Sequence, residues 1–229
     1  MNDLELIPER LTAVRALIDE ATSRAGRPAG SVRLVAVSKT KPAEAIRIAY
    51  AAGQRDFGEN YVQELADKAA DLADLSDLRW HFIGSLQRNK AKKTASVAQI
   101  IHTVDRGELV DELERRASTL GRPLDVLIEV NVGSETSKAG CCVDAFPALL
   151  EHARSAAHLR VKGLMAIPPL LDDPEAVRPY FSRLRQLRDA HGGSAALPEL
   201  SMGMSHDFAV AIEEGATLVR VGTAIFGSR

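Results

Sequence analysis

Eight short β-branched runs alternate with longer helical patterns along the 229 residues of this chain, and that alternation limits its fold more than any other feature. The strand candidates are "VRLVAV", "RDFG", "RWHFIG", "QIIHTV", "LDVLIEVNV", "RVKGLMAI", "ELSMG" and "LVRVG". Between them lie stretches such as "PAEAIRIAYAAG" and "NYVQELADKAADLADL", with apolar residues at helical spacing; Pro42 suits a first helical turn and Gly53 a helix end. Strands separated by helices pair in parallel through right-handed crossovers. Eight such units within ~250 residues fit a closed (β/α)8 barrel of the TIM type better than an open sheet. No Pro/Gly/Ser-rich linker or low-complexity segment interrupts the series, so residues 1–229 are expected to form one domain.

The eighth unit is short. After the last strand only "TAIFGSR" remains, while Leu4 to Arg24 form an amphipathic helix ahead of the first strand. That helix is expected to fill the gap, packing over the seam between first and last strands through Leu4, Leu11, Val14 and Leu17.

Composition narrows the function. A net charge of −2 and a pI near 6.3 give no electrostatic reason to expect nucleic acid or an anionic membrane as partner. No apolar run approaches the ~20 residues of a membrane span, and "MNDLELIPER" lacks the basic and apolar regions of a signal peptide, so a cytoplasmic location is expected. The two cysteines are neighbours, Cys141 and Cys142, which offer neither a disulfide framework nor spaced metal ligands; no metal site is expected.

In a parallel barrel, chemistry collects where the strands end. Lys39 follows the first strand, Glu59 and Asn60 the second, and Ser85, Gln87 and Asn89 the third; "NVGSETSKAG", "MGMSHD" and "RVGTAIFG" follow the fifth, seventh and eighth. A lysine amine against apolar walls loses its proton more readily than one in water and can attack a carbonyl. The other reading of Lys39 is a side chain that snorkels to the surface or pairs with a carboxylate such as Glu59, and its position alone leaves both open. Lys41, in the next loop, reads as a solvated charge. "GMSHD" places Ser205 and Asp207 near a helix start, and "RVGTA" supplies small residues whose N–H groups can approach an oxyanion; two such turns after the final strands of a barrel form a phosphate cradle. A phosphorylated aldehyde would use both parts.

The motifs "AVSKTKP", "FGENYVQE", "WHFIGSLQRNK", "HTVD", "GLMAIPP" and "LSMGMSHDFAVAIEEGATLVRVGTAIFG", in this order from Arg10 to Gly227, closely resemble the pyridoxal phosphate homeostasis proteins of the YggS/PROSC type. The resemblance implies a barrel similar to the N-terminal domain of alanine racemase, binding pyridoxal 5'-phosphate (PLP) as a Schiff base without an established reaction and serving intracellular PLP balance. Carried over by motif, Lys39 matches the Schiff-base lysine. Ser205, Gly222 and Thr223 match phosphate-binding positions, and Arg220 the arginine facing the pyridine nitrogen. Asn60 matches a residue at the cofactor rim, and Met165 a cofactor neighbour. His81 reads equally as a packed core histidine or a cofactor neighbour.

Arg220 carries a mechanistic expectation. A guanidinium stays protonated and only donates, so it favours an unprotonated pyridine, a poor electron sink. Transamination is then disfavoured relative to racemisation or simple binding. Alanine-racemase-like enzymes also use a tyrosine from a second, all-β domain; no such domain is expected here, and of Tyr50, Tyr61 and Tyr180 only Tyr61 follows a strand. The expected protein is a monomeric PLP carrier or regulator, with apo PLP-dependent enzymes as candidate partners. The alternatives are a minor PLP-dependent racemase or lyase, and a cofactor-free Schiff-base aldolase using Lys39.

Overall fold

A computed structural model describes residues 3–135 and 138–227; Thr136 and Ser137 of "NVGSETSKAG" and the terminal Ser228 and Arg229 lie outside the described residues. Eight strands form a closed barrel in sequence order: β1 (Arg33–Val37), β2 (Asp56–Glu59), β3 (Arg79–Phe82), β4 (Ile100–Val104), β5 (Leu124–Glu129), β6 (Leu159–Met165), β7 (Glu199–Ser201) and β8 (Leu218–Val221). Every neighbouring pair is parallel, and β1 closes on β8 with Val35 opposite Arg220. All eight runs expected as strands are strands. They are short, three to seven residues each, as the runs were, because strands buried on both faces need little length to bury their apolar side chains.

The N-terminal helix, Ile7–Arg24, starts with Pro8 in its first turn and packs against the helices Phe208–Glu213 and Thr223–Phe226 that follow β7 and β8, and against Ala43–Ala51 after β1. It therefore covers the seam, as expected, and the last helix is a single turn. Its buried stripe is Ile7, Leu11, Val14, Ile18 and Ala21, at spacings of four and three. Leu17 does not belong to it: that side chain is 51% exposed, because the turn after Val14 offers Ile18 to the barrel and rotates Leu17 toward solvent. Leu4 packs against the core from a partly buried position.

The N-terminal ends of the strands are closed by the ion pairs Arg33–Glu199, Arg79–Asp56 and Arg160–Asp125. Above them the barrel interior holds the apolar cluster Val35, Leu127, Met165 and Leu218 beside a file of buried polar side chains. Among the described residues no helix is long and apolar enough to cross a membrane.

Candidate functional site

β1 ends at Val37 and the chain turns at once through Ser38, Lys39 and Thr40, so Lys39 stands on the C-terminal rim with its side chain half-buried. The turn is held from below. Lys68, 7% exposed on the helix Val62–Asp71, donates to the Ser38 carbonyl oxygen at 2.8 Å, to Glu59 Oε1 at 2.7 Å and to Glu64 Oε2 at 2.9 Å. Ser38 Oγ donates to the same Glu59 oxygen at 2.7 Å, and Thr40 N donates to Glu64 Oε2 at 2.8 Å. Thr40 adopts φ 63°, a left-handed conformation that costs a β-branched residue of order 1–3 kcal/mol and persists because these contacts over-determine it. Burial raises the Glu59 carboxyl above its ordinary range against the pull of Lys68. Burial also works against Glu64, but there the hydrogen bonds from Lys68 and Thr40 win and its carboxyl is lowered.

Lys39 lines a cavity of about 270 Å³ together with Asn60, Ser205, Arg220, Gly222 and Thr223, so six of the seven cofactor positions named from sequence converge on one space. Val37, Ile83, Ile167 and Leu170 give it apolar walls. Met165, the seventh, lies elsewhere: fully buried beneath the cavity in the interior cluster with Val35, Leu127 and Leu218, it plugs the barrel. His81 is likewise fully buried and bonded within the barrel, the packed alternative of its two readings.

The strand ends shape this space by close backbone approach. A Cβ on Gly84, just past β3, would fall 2.0 Å from the Asn60 carbonyl oxygen, so only glycine lets the β2 and β3 ends meet and hold Asn60 at the rim. Asn60 Oδ1 is buried without a hydrogen-bond partner. On the other side, Ser205 Oγ lies 3.4 Å from Gly222 N and 3.2 Å from Thr223 Oγ1. These groups form a small cluster of N–H and O–H donors open to the cavity. The helix expected from "GMSHD" begins at Phe208; Asp207 caps the turn before it by accepting from Met204 N at 2.6 Å, which fixes Ser205.

Arg220 forms part of the cavity wall from β8. Its Nη1 donates to Ser201 Oγ at 2.6 Å and its Nη2 to the Ala166 carbonyl oxygen at 3.0 Å. Complete burial lowers its pKa to about 10, opposed by the negative charges of Glu129 and Asp207, so it remains a cation at neutral pH. Tyr61, half exposed ahead of the helix Val62–Asp71, lines an adjoining recess with Asn60 and not the Lys39 cavity. Tyr50 and Tyr180 lie on helices, as expected. Cys141 is buried, its thiol pushed up to about 12 by burial, and Cys142 is exposed.

Residues 10–229 match the alanine racemase N-terminal domain family. A pyridoxal phosphate homeostasis protein of Aquifex aeolicus is 50% identical over 96% of this chain and 97% of its own. The chain belongs to the pyridoxal phosphate homeostasis family. A second family member, from Pseudomonas aeruginosa, is 48% identical over 99% of this chain and 97% of its own. The solved structure of PipY from Synechococcus elongatus, with PLP bound, superposes with a TM-score of 0.83 at 41% identity, covering 96% of this chain and all of that one. Alanine racemase of Corynebacterium glutamicum shares the fold at 17% identity and a TM-score of 0.72, over 99% of this chain and 62% of its own. The homeostasis family's barrel is thus the racemase's first domain in outline.

The sequence did not single out Ile83, Ile167, Leu170, Met204 or His206, which complete the lining. A signal existed in "GLMAIPPLL": apolar residues running past the end of β6, with Leu170 81% exposed, are out of place in a loop unless they wall a site.

Proposed function

We propose that this protein binds PLP through Lys39 and serves intracellular PLP homeostasis as a carrier or store of the cofactor. The observation that carries this reading is the convergence of a lysine amine, a donor cradle and a buried guanidinium on one apolar-walled cavity. The PLP-bound relative and the names of the curated relatives support it. The residues present fit the cofactor: Ser205 Oγ, Gly222 N and Thr223 Oγ1 suit a phosphate, Arg220 suits a ring nitrogen, and the orphaned Asn60 Oδ1 asks for a donor.

PLP supplies an electrophilic aldehyde and an electron-withdrawing ring. The protein's contribution is placement. The Lys68 clamp holds the turn that carries the Lys39 amine, the cradle gives the phosphate charge-assisted hydrogen bonds, and Arg220 donates to the ring nitrogen and so keeps it from being protonated. That last choice withholds the electron sink on which transamination depends. A racemase or lyase activity is the second reading, and it is the weaker one because Tyr61, the one tyrosine kept as an acid/base candidate, does not line the cavity.

Under this reading residues 1–229 act as one domain, monomeric and cytoplasmic, handing PLP to apo PLP-dependent enzymes. The deciding experiment mixes the loaded protein with an apo enzyme and follows the return of its activity. Faster recovery than with an equal amount of free PLP is expected; recovery no faster than with free PLP rejects the carrier role. Robust Lys39-dependent α-proton exchange of an amino acid in deuterated water would favour the enzyme instead.

A further inference from the structure

Arg220 is one end of a hydrogen-bonded file that crosses the barrel interior. Its Nη1 donates to Ser201 Oγ, Ser201 Oγ lies 2.8 Å from His102 Nδ1, His102 Nε2 lies 2.9 Å from His81 Nδ1, and His81 Nε2 lies 2.9 Å from Asp56 Oδ1. Ser201, His102 and His81 are fully buried. At the foot, Arg79 grips Asp56 through Nε at 2.8 Å and Nη2 at 2.6 Å. Asp56 also lines a second cavity, of about 280 Å³, whose walls include Arg15, Arg33, Arg55 and Arg79.

The two ends fix every proton between them. Arg220 only donates, so Ser201 Oγ accepts and turns its single proton toward His102 Nδ1. His102 is held neutral by burial, reinforced by the charges of Arg220 and Arg33; with Nδ1 accepting, its proton sits on Nε2 and points at His81 Nδ1. His81 then carries its proton on Nε2 and donates to Asp56. Burial alone would raise the Asp56 carboxyl, but the hydrogen bonds from His81 and Arg79 outweigh it and keep it ionised. Each link donates in the same direction, from cation to anion, and bonds aligned in this way polarise one another.

We propose that Asp56, His81, His102 and Ser201 are positioning residues for Arg220. They commit one N–H of its guanidinium to the barrel interior, while Ala166 takes another, and so fix which N–H groups face the cavity. They also carry the charge state at the foot of the barrel to the side of the cavity assigned to the ring nitrogen. This second part rests on the PLP reading above; the first does not.

The test therefore has two arms. Long-range ¹H–¹⁵N correlation of the histidine-labelled protein without cofactor is expected to show, in both His81 and His102, the proton on Nε2 and none on Nδ1. A proton on Nδ1 of either ring overturns the file whether or not the protein binds PLP. In the second arm, Ser201→Ala is expected to shift the absorption band of bound PLP and weaken its binding about ten-fold, with Ser201→Thr, which keeps the hydroxyl, restoring both. Asp56→Asn, remote from the cavity, is expected to shift the same band in the same sense. A folded Asp56→Asn protein with the wild-type band, or a Thr variant no better than Ala, overturns the positioning role; failure of the wild type to bind PLP rejects the earlier reading and leaves the first arm to decide the file.

Discussion

Lys68 Nζ lies 2.8 Å from the carbonyl oxygen of Ser38, the residue immediately before Lys39. A buried lysine thus holds the backbone that presents an accessible one. Removing one partner of a buried ion pair costs about 3–5 kcal/mol because the other is left uncompensated. Lys68→Met is expected to lose roughly that much stability in urea unfolding and to slow attachment of PLP to Lys39. Pairing it with Glu59→Gln should recover part of the stability, since the orphaned charge is then gone; a double variant as unstable as the sum of the two singles would mean that Lys68 acts elsewhere.

Lys39→Ala is expected to abolish the borohydride-reducible PLP adduct and leave the circular dichroism spectrum unchanged, because the amine is not a core element. Peptide mapping after reduction of the wild type should find the label on Lys39. A label on Lys41, or on Lys138, whose Nζ donates to the Pro168 carbonyl oxygen at 2.8 Å, would move the site.

Ser205 Oγ stands at the centre of the donor cluster formed with Gly222 N and Thr223 Oγ1. A hydrogen bond to a charged phosphate contributes about 1.5–3 kcal/mol, so Ser205→Ala should weaken PLP about ten- to a hundred-fold. Pyridoxal, which lacks the phosphate, should bind both proteins alike. Equal loss for both ligands would show that the hydroxyl works through the fold.

Glu129, at the end of β5, is buried with Oε2 unpartnered, and burial, with Asp105 adding to it, pushes its carboxyl up to about 7 from an ordinary 4.5. The raised value means that the folded state holds this proton more tightly than the unfolded chain. Its stabilising effect is complete below the unfolded pKa and is lost as pH rises through the folded one, a change of about 3 kcal/mol. Glu129→Gln, which cannot ionise, should lack that loss. Denaturant unfolding from about pH 4 to pH 9 checks it, and parallel stability curves for the two proteins would contradict it.

The barrel and most of its site could be read from the sequence because both follow from periodicity. Alternating runs mark the strands, and strand ends mark the rim, which pointed to Lys39, Ser205, Gly222 and Thr223, whereas Arg220, inside β8, was singled out only by the family resemblance. Position along a run does not say how deep a side chain sits. Met165 ends β6, yet it is fully buried in the interior cluster and does not line the cavity. Leu17 and Ile18 are equally apolar, and only the helix phase set by Ile7 and Leu11 chooses between them. Lys68 stands one helical turn after Glu64, the spacing of an ordinary surface pair, and was not singled out; its buried partner Glu59 comes from β2. The histidine file is assembled from β2, β3, β4, β7 and β8, and no spacing announces it.

The seam between β1 and β8 also sets an order of events during synthesis. Lys39 emerges early, but Arg220, Gly222 and Thr223 lie within the last ten residues, and the helix that covers the closure comes from the opposite terminus. Until β8 has been made, the Lys39 turn stands with neither the Ser205, Gly222 and Thr223 cluster nor the Arg220 guanidinium beside it. These are long-range contacts, and they pay their loop-closure entropy last. Under the proposed reading, specific capture of PLP therefore waits on the meeting of β1 and β8, the two strands farthest apart in the chain.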